Sequence, residues 1–167
     1  SLGWRRDFVC QIFSLVAPGR PVHWCRGGEP AHFESVVNGA LNVKTGCDGA
    51  FLATTEFQAN HVVVRKISDG TVYSEWDTDS EPFGVAVYKG EVYVCLPNED
   101  RIAVFSMAGA ELRDWELEAA SHVRVYNDEV YATNSGDSVY VFKTDGTPVR
   151  DWTVAQILQL NQIEVAS

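Results

Sequence analysis

Basic residues are scarce in this chain. Its 167 residues hold 13 Lys and Arg against 23 Asp and Glu, for a net charge of −10. A nucleic-acid partner calls for a basic stripe, and cations spread thinly over the whole length do not make one. The acidic balance favours solubility and cationic partners without naming any. Long apolar runs are missing too: nothing approaches the length of about 18 residues that a membrane span needs. Arg5, Arg6 and Asp7 interrupt any signal-peptide core, and no Asn-x-Ser/Thr sequon occurs. Together these lean the expectation toward an intracellular, cytoplasmic setting. Ser1 in place of an initiator methionine adds the expectation that the chain is processed or, the favoured reading, cut from something longer. Cysteine is present but never paired at close spacing. Cys10, Cys25, Cys47 and Cys95 include no C-x-x-C, which argues against structural zinc, and a disulfide scaffold is unneeded at this length. Cys10 and Cys95 sit in apolar strand-like runs and read as small buried hydrophobes. Catalytic signatures are lacking as well. There is no G-x-S-x-G, P-loop or G-x-G-x-x-G, and His23, His32, His61 and His122 are scattered with no H-E-x-x-H. No catalytic residue, metal ligand or cofactor is assigned from this pattern.

What the chain has in abundance is repetition. The tripeptide Arg-Asp-Trp occurs at 113–115 and again at 150–152. Trp76, Trp115 and Trp152 are separated by 39 and 37 residues, and Phe105 and Phe142 each stand ten residues ahead of their Trp. Trp24 closes a fourth, looser copy with Phe13 ahead of it. The upstream halves match too: EVYVCLPNEDRIAVF (91–105) parallels EVYATNSGDSVYVF (129–142). Runs of Val, Tyr and Phe suit strands, and the intervening Lys89-Gly90, Asn127-Asp128 and Asp48-Gly49 suit hairpin turns. A further Gly turn precedes each last strand, at Gly19, Gly70, Gly109 and Gly146. Each unit therefore reads as four short antiparallel strands. Four strands repeated at this period are the arithmetic of a β-propeller blade, whose two apolar faces are buried only by stacking on neighbours. Short strand-like runs and frequent turn signals disfavour helical repeats of similar period.

The segment EPFGVAVYKGEVYVCLPNEDRIAVFSMAGAELRDW (81–115) resembles the NHL type of propeller repeat. The resemblance is carried by Pro82, Gly84, Val85, Ala86, Val87, Gly90, Tyr93, Val94, Arg101, Ile102, Val104, Phe105 and Gly109, with Asn98 offset by one. The unit at 122–152 keeps the strands and turns but has Ser138 in the arginine position. The expected architecture is all-β: a single propeller domain over 1–167, with three full blades and partial ones at the ends. The units fall at 7–24, 36–76, 82–117, 122–153 and 161–167. Residues 25–37 read as an insertion, because Trp24 and Trp76 are 52 apart. The stretch 153–160 reads as a helical turn. Trp24, Trp76, Trp115 and Trp152 are the structural marks of the repeat. Two closures fit this count: a four-blade ring in which the end strand joins the opening strands, or, the favoured reading, part of a longer ring that needs further blades or another chain to cover its edges.

Function is then sought in the loops outside the repeated frame, where binding residues concentrate. The connection EWDTDSEPFG (75–84) carries alternating acids, and Asp77, Asp79 and Glu81, with His122 in the next unit, are the candidate partner-binding residues. Asp-x-Asp-x-Glu could seed a calcium site, but Tyr88 stands where an EF-hand loop from Asp77 needs its twelfth-position Glu. The favoured reading is a non-catalytic, protein-binding scaffold. The resemblance also admits a metal-dependent lyase or lactonase-like hydrolase with its site in the central channel, for which His122, Glu81 and Asn161 lie near suitable positions.

Overall fold

The computed structural model describes residues 22–26, 29–33 and 43–153. The β-rich runs become fourteen strands in chain order. A hairpin of β1 (Val22–Arg26) and β2 (Glu29–Phe33) comes first. Blade A holds β3 (Val43–Cys47), β4 (Phe51–Glu56), β5 (His61–Lys66) and β6 (Val72–Asp77). Blade B holds β7 (Val85–Tyr88), β8 (Glu91–Leu96), β9 (Arg101–Ser106) and β10 (Glu111–Glu116). Blade C holds β11 (Ala120–Tyr126), β12 (Glu129–Asn134), β13 (Ser138–Lys143) and β14 (Pro148–Thr153). Each blade is an antiparallel meander in which sequence neighbours pair. The first strands pack on one another, β3 against β7 and β7 against β11, so they lie innermost and β6, β10 and β14 outermost. No α-helix occurs among the described residues, and no helix there is long and apolar enough to cross a membrane.

Trp24 lies in β1 opposite Ala31 of β2. Residues 25–37, expected as an insertion, thus contribute the end of β1 and the whole of β2. The segments 7–21 and 161–167, the helical turn over 153–160 beyond Thr153, and Asn161 lie outside the described residues.

Burial follows from stacking. Side chains alternate across a strand, and in blade B both sets meet a neighbouring blade. Val85, Val87, Val92, Val94, Ala103 and Phe105 join Ala53, Val62 and Val64 of blade A in one core. Ala86, Tyr93, Cys95, Ile102 and Val104 join Val123, Val130, Ala132 and Phe142 of blade C in the other. This is why β8 is buried along nearly its whole length although every second residue of a one-faced strand would meet water. Cys95 is the small hydrophobe expected of it, and burial pushes its thiol up to about 12. Gly84, two residues after Pro82, lets the blades close. A Cβ there would lie 2.4 Å from the Ser121 carbonyl oxygen and 2.7 Å from the His122 Cα.

The repeated Arg-Asp-Trp now has a physical content. Trp115 leaves blade B and lies over the Gly146 turn of blade C, its ring 5.7 Å from Phe142. Trp76 does the same from blade A, over Gly109 and 5.5 Å from Phe105. The arginine folds back across its own sheet. Arg113 donates two hydrogen bonds to Glu91, at 2.9 and 2.6 Å, and one to the Tyr93 hydroxyl. Arg150 repeats this fork on Glu129 and Tyr131. Repeated RDW and repeated EVY are thus two halves of one bidentate ion pair, the geometry that suits a guanidinium to a carboxylate. Blade A lacks both halves. The register places Ser74 and Phe51 at the positions of Arg113 and Glu91, and Phe51 packs edge-on against Tyr73 instead.

Candidate binding rim

In an antiparallel meander, alternate connections emerge at the same end. The interblade connections 78–84 and 117–119 therefore share one rim with the turns 57–60, 97–100 and 135–137. The hairpin turns at Gly49, Gly90, Gly109 and Gly146 lie at the opposite rim.

Backbone geometry builds the loop rim. A single 3-10 turn follows β4 and another follows β8, and each ends in a left-handed residue, Asn60 and Asp100. Short polar residues tolerate that conformation. Their carbonyls then receive the next interblade segment, Asn60 from the Thr78 N–H at 2.7 Å and Asp100 from the Leu117 N–H at 2.8 Å. The Asp100 carboxylate also accepts the Ala119 N–H. Each interblade loop is therefore pinned to the blade it leaves. Loop 78–84 is tied forward to blade B as well, where Ser80 donates to Glu99 and Asn98 donates to Glu81 at 3.0 Å, while Thr55 of blade A donates to the Phe83 carbonyl.

The predicted residues share the rim but have separate partners. Asp77 ends β6 and its carboxylate lies 2.7 Å from His61 Nδ1, with Glu75 3.8 Å from the other ring nitrogen. Asp79 is exposed. Glu81 accepts from Asn98, and His122 is exposed on β11, 2.9 Å from the Ser121 hydroxyl. The alternating acids do not converge: among the described residues no cluster of His, Cys, Asp and Glu could hold a metal ion.

Two features were not legible in the sequence. Phe57, Phe83 and His122 form an edge-to-face series across three blades, with centroid separations of 5.8 and 5.6 Å. They come from a turn, an interblade loop and a strand with no shared pattern, so no spacing signals them. Second, the rim carboxylates divide by environment. Burial raises Glu56 above the ordinary carboxylate range, with His61 and Arg65 opposing and Glu75 adding to it. Burial acts the same way on Glu99, but hydrogen bonds from Ser80 and Arg101 leave it below that range. By contrast Asp79, Glu116 and Glu118 are exposed, and their carboxylates make no hydrogen bond or ion pair among the described residues. On the opposite rim the acids are used locally. Asp48, Asp69 and Asp145 accept N–H groups of their own turns, and Asp128 pairs with Lys89.

No family model matches the chain, and no curated protein matches it. Solved structures do. A catalytically inactive histidine-to-alanine virginiamycin B lyase from Staphylococcus aureus with quinupristin is 19% identical, with a TM-score of 0.62 over 81% of this chain and 49% of that one. BamB from Moraxella catarrhalis is 14% identical, with a TM-score of 0.58 over 86% of this chain and 48% of that one. Glutaminyl cyclase from Myxococcus xanthus is 10% identical, with a TM-score of 0.60 over 84% and 68%. With the sheet order above, these likenesses define the chain as a β-propeller. It spans less than half of the first two of these structures, and at such identities the likeness concerns the fold alone.

Proposed function

We propose that this NHL-like propeller is a non-catalytic protein-binding module whose loop rim receives a basic segment of a partner. The observation that carries the reading is the contrast between rims. Acids of the hairpin rim are engaged by their own turns or, for Asp128, by Lys89, whereas Asp79 and Glu118 on interblade loops and Glu116 at the end of β10 stand unneutralised among the described residues. Complementary charge raises association rate and selects partners more than it adds raw affinity. Asp77, Glu81 and His122 flank this surface, and Phe57 and Phe83 supply apolar area beside it.

The test is fluorescence anisotropy with Lys- and Arg-rich peptides. Binding should weaken as salt rises, and Asp79→Lys with Glu118→Lys should lower affinity about tenfold, in keeping with the loss of a close charge pair. Lys143→Glu on the opposite rim should leave it unchanged. Binding that ignores the two rim reversals, or no binding at low salt, would overturn the reading.

A propeller enzyme is the second reading, and it rests on His122: an exposed imidazole on an innermost strand, beside Ser121 and edge-on to Phe83. One of the solved structures above is a lyase inactivated by replacing a histidine. A hydrolase or lyase activity abolished by His122→Ala, with the fold intact, would favour it over the binding module.

A further inference from the structure

The first strand of each blade has one position that blades A and B keep small. Gly46 of β3 and Ala86 of β7 occupy it, opposite Ala53 and Tyr93. In blade C the register puts Arg124 of β11 there, opposite Tyr131. A repeat departs from its own pattern where a demand other than folding acts on it. Here the departure places a guanidinium on an innermost strand. Val123 and Val125, on either side of it, face the core shared with blade B. Alternation sends His122, Arg124 and Tyr126 to the other face, and all three are exposed.

Arg124 is held differently from the other arginines of blades B and C. Arg101, Arg113 and Arg150 each pair with carboxylates of their own blade. Arg124 has no carboxylate partner among the described residues, although the chain carries 23 acids. Its Nη1 donates to the Val123 carbonyl at 2.8 Å and reaches the Val85 carbonyl at 3.4 Å. Those carbonyls belong to β11 and β7, so the guanidinium bridges two innermost strands. One nitrogen anchors the group, while the edge formed by Nε and Nη2 makes no hydrogen bond among the described residues. That edge is the fork that matches the two oxygens of a carboxylate. His122 stands two residues away on the same face, about 7 Å along the strand. Its ring is edge-on to Phe83 at 5.6 Å, with the Ser121 hydroxyl 2.9 Å from Nδ1.

We propose that the inner strands of blades B and C bind a small organic carboxylate, which Arg124 grips by its Nε and Nη2 edge while His122 and Phe83 contact the body of the ligand. The backbone anchor sets the guanidinium before the ligand arrives, which lowers the ordering cost of binding. The planar fork selects two coplanar oxygens over a tetrahedral oxyanion or a neutral amide, and the positive charge rejects an ammonium. The site shares only His122 and Phe83 with the surroundings of the acidic loop rim, and its ligand has the opposite charge. It requires neither catalysis nor a partner bound at that rim.

Benzoate titrated into the isotope-labelled chain, followed by NMR at the Arg124 Nε–H resonance, tests it. A saturable shift with Kd on the order of 1 mM is expected. Benzamide, which keeps the shape without the charge, and inorganic phosphate should each bind about tenfold more weakly or less. Arg124→Gln should abolish benzoate binding. Arg124→Lys keeps the charge but not the fork, and should weaken binding about tenfold with circular dichroism and Tm unchanged. Arg150→Lys, at an arginine already paired with Glu129, should leave binding as it is. A resonance that does not move overturns the proposal, as does full binding in Arg124→Lys. Benzamide or phosphate binding as tightly as benzoate overturns it too. Should Arg124→Gln fail to fold, the lysine variant and the two control ligands still decide. Peptide binding at the rim is read through Asp79 and Glu118, so the two readings fail separately.

Discussion

The ring of Trp115 sits so close over Gly146 that a Cβ on the glycine would lie 2.7 Å from it, while the glycine itself holds φ at +88°. One contact therefore imposes two separate demands on one residue, a left-handed backbone and the absence of a side chain. The same pair recurs one blade earlier in Trp76 and Gly109, so each contact joins an outermost strand to the turn of the next blade.

Gly146→Ala and Gly90→Ala separate the two demands. Gly90 has φ of +77° but open space around its Cβ position. Its replacement should cost about 1–2 kcal/mol, the penalty of a left-handed L residue. Gly146→Ala should cost that and a further amount of about 1–3 kcal/mol for displacing the indole, as overpacking does. Urea titration of both variants checks this; equal losses would show that the Trp115 contact yields freely.

Gly84→Ala should harm the seam between blades B and C more than either turn variant. The atoms in the way are backbone, which cannot swing aside. The first strand β7 and β11 would have to separate, opening the core that contains Cys95. Faster reaction of Cys95 with a thiol reagent, in a background lacking the other cysteines, should accompany the loss of stability. Unchanged labelling would mean the seam absorbs a methyl group without opening.

The two guanidinium forks should differ in strength although their residues are the same. Arg113 and Glu91 are 28% and 29% exposed at the side chain, and Arg113 also bonds the next blade. A double-mutant cycle with Arg113→Met and Glu91→Gln should give a coupling of about 1–2 kcal/mol, above the usual surface pair. The same cycle on Arg150 and Glu129 should give a smaller coupling that salt removes more readily, because the Arg150 side chain is more exposed, at 39%, and makes no bond to a further blade among the described residues. Equal couplings would contradict the assigned environments.

Glu129 offers a pH test. Hydrogen bonds from Arg150 first, and from Tyr131, lower its carboxyl from 4.5 to about 2. A carboxylate depressed in the folded state adds stability that is complete above its unfolded value and lost as pH falls toward the folded one. The contribution should fade between about pH 4.5 and 2. A carboxyl NMR titration should show Glu129 midway near the lower end, and Arg150→Ala should return it toward the ordinary range. An unshifted Glu129 in the parent chain would contradict the fork.

Much of the fold can be read from the chain because a repeat writes the same instruction several times. Val and Tyr alternation, the turn glycines and the spaced tryptophans each predict strands, and their agreement across units identifies the blade. Of the candidate site the sequence offered only composition. It placed Asp77, Asp79, Glu81 and His122 in or beside interblade loops, yet it could not show that His61 lies against Asp77 or that Asn98 meets Glu81. Those pairs join strands or loops that local pattern does not relate. The partnership of Arg113 with Glu91 was equally hidden, although both tripeptides were plainly repeated, because the contact crosses an intervening strand.

By itself the sequence determined the unit, its period and the residues that mark it, since backbone preference and alternation are local properties of the chain. Which carboxylates are spent on their own turns, and which stand free on the rim among the described residues, were decided only by the tertiary structure. Those outcomes depend on what packs across each face and which donors reach each acid, and neither is encoded within any one repeat.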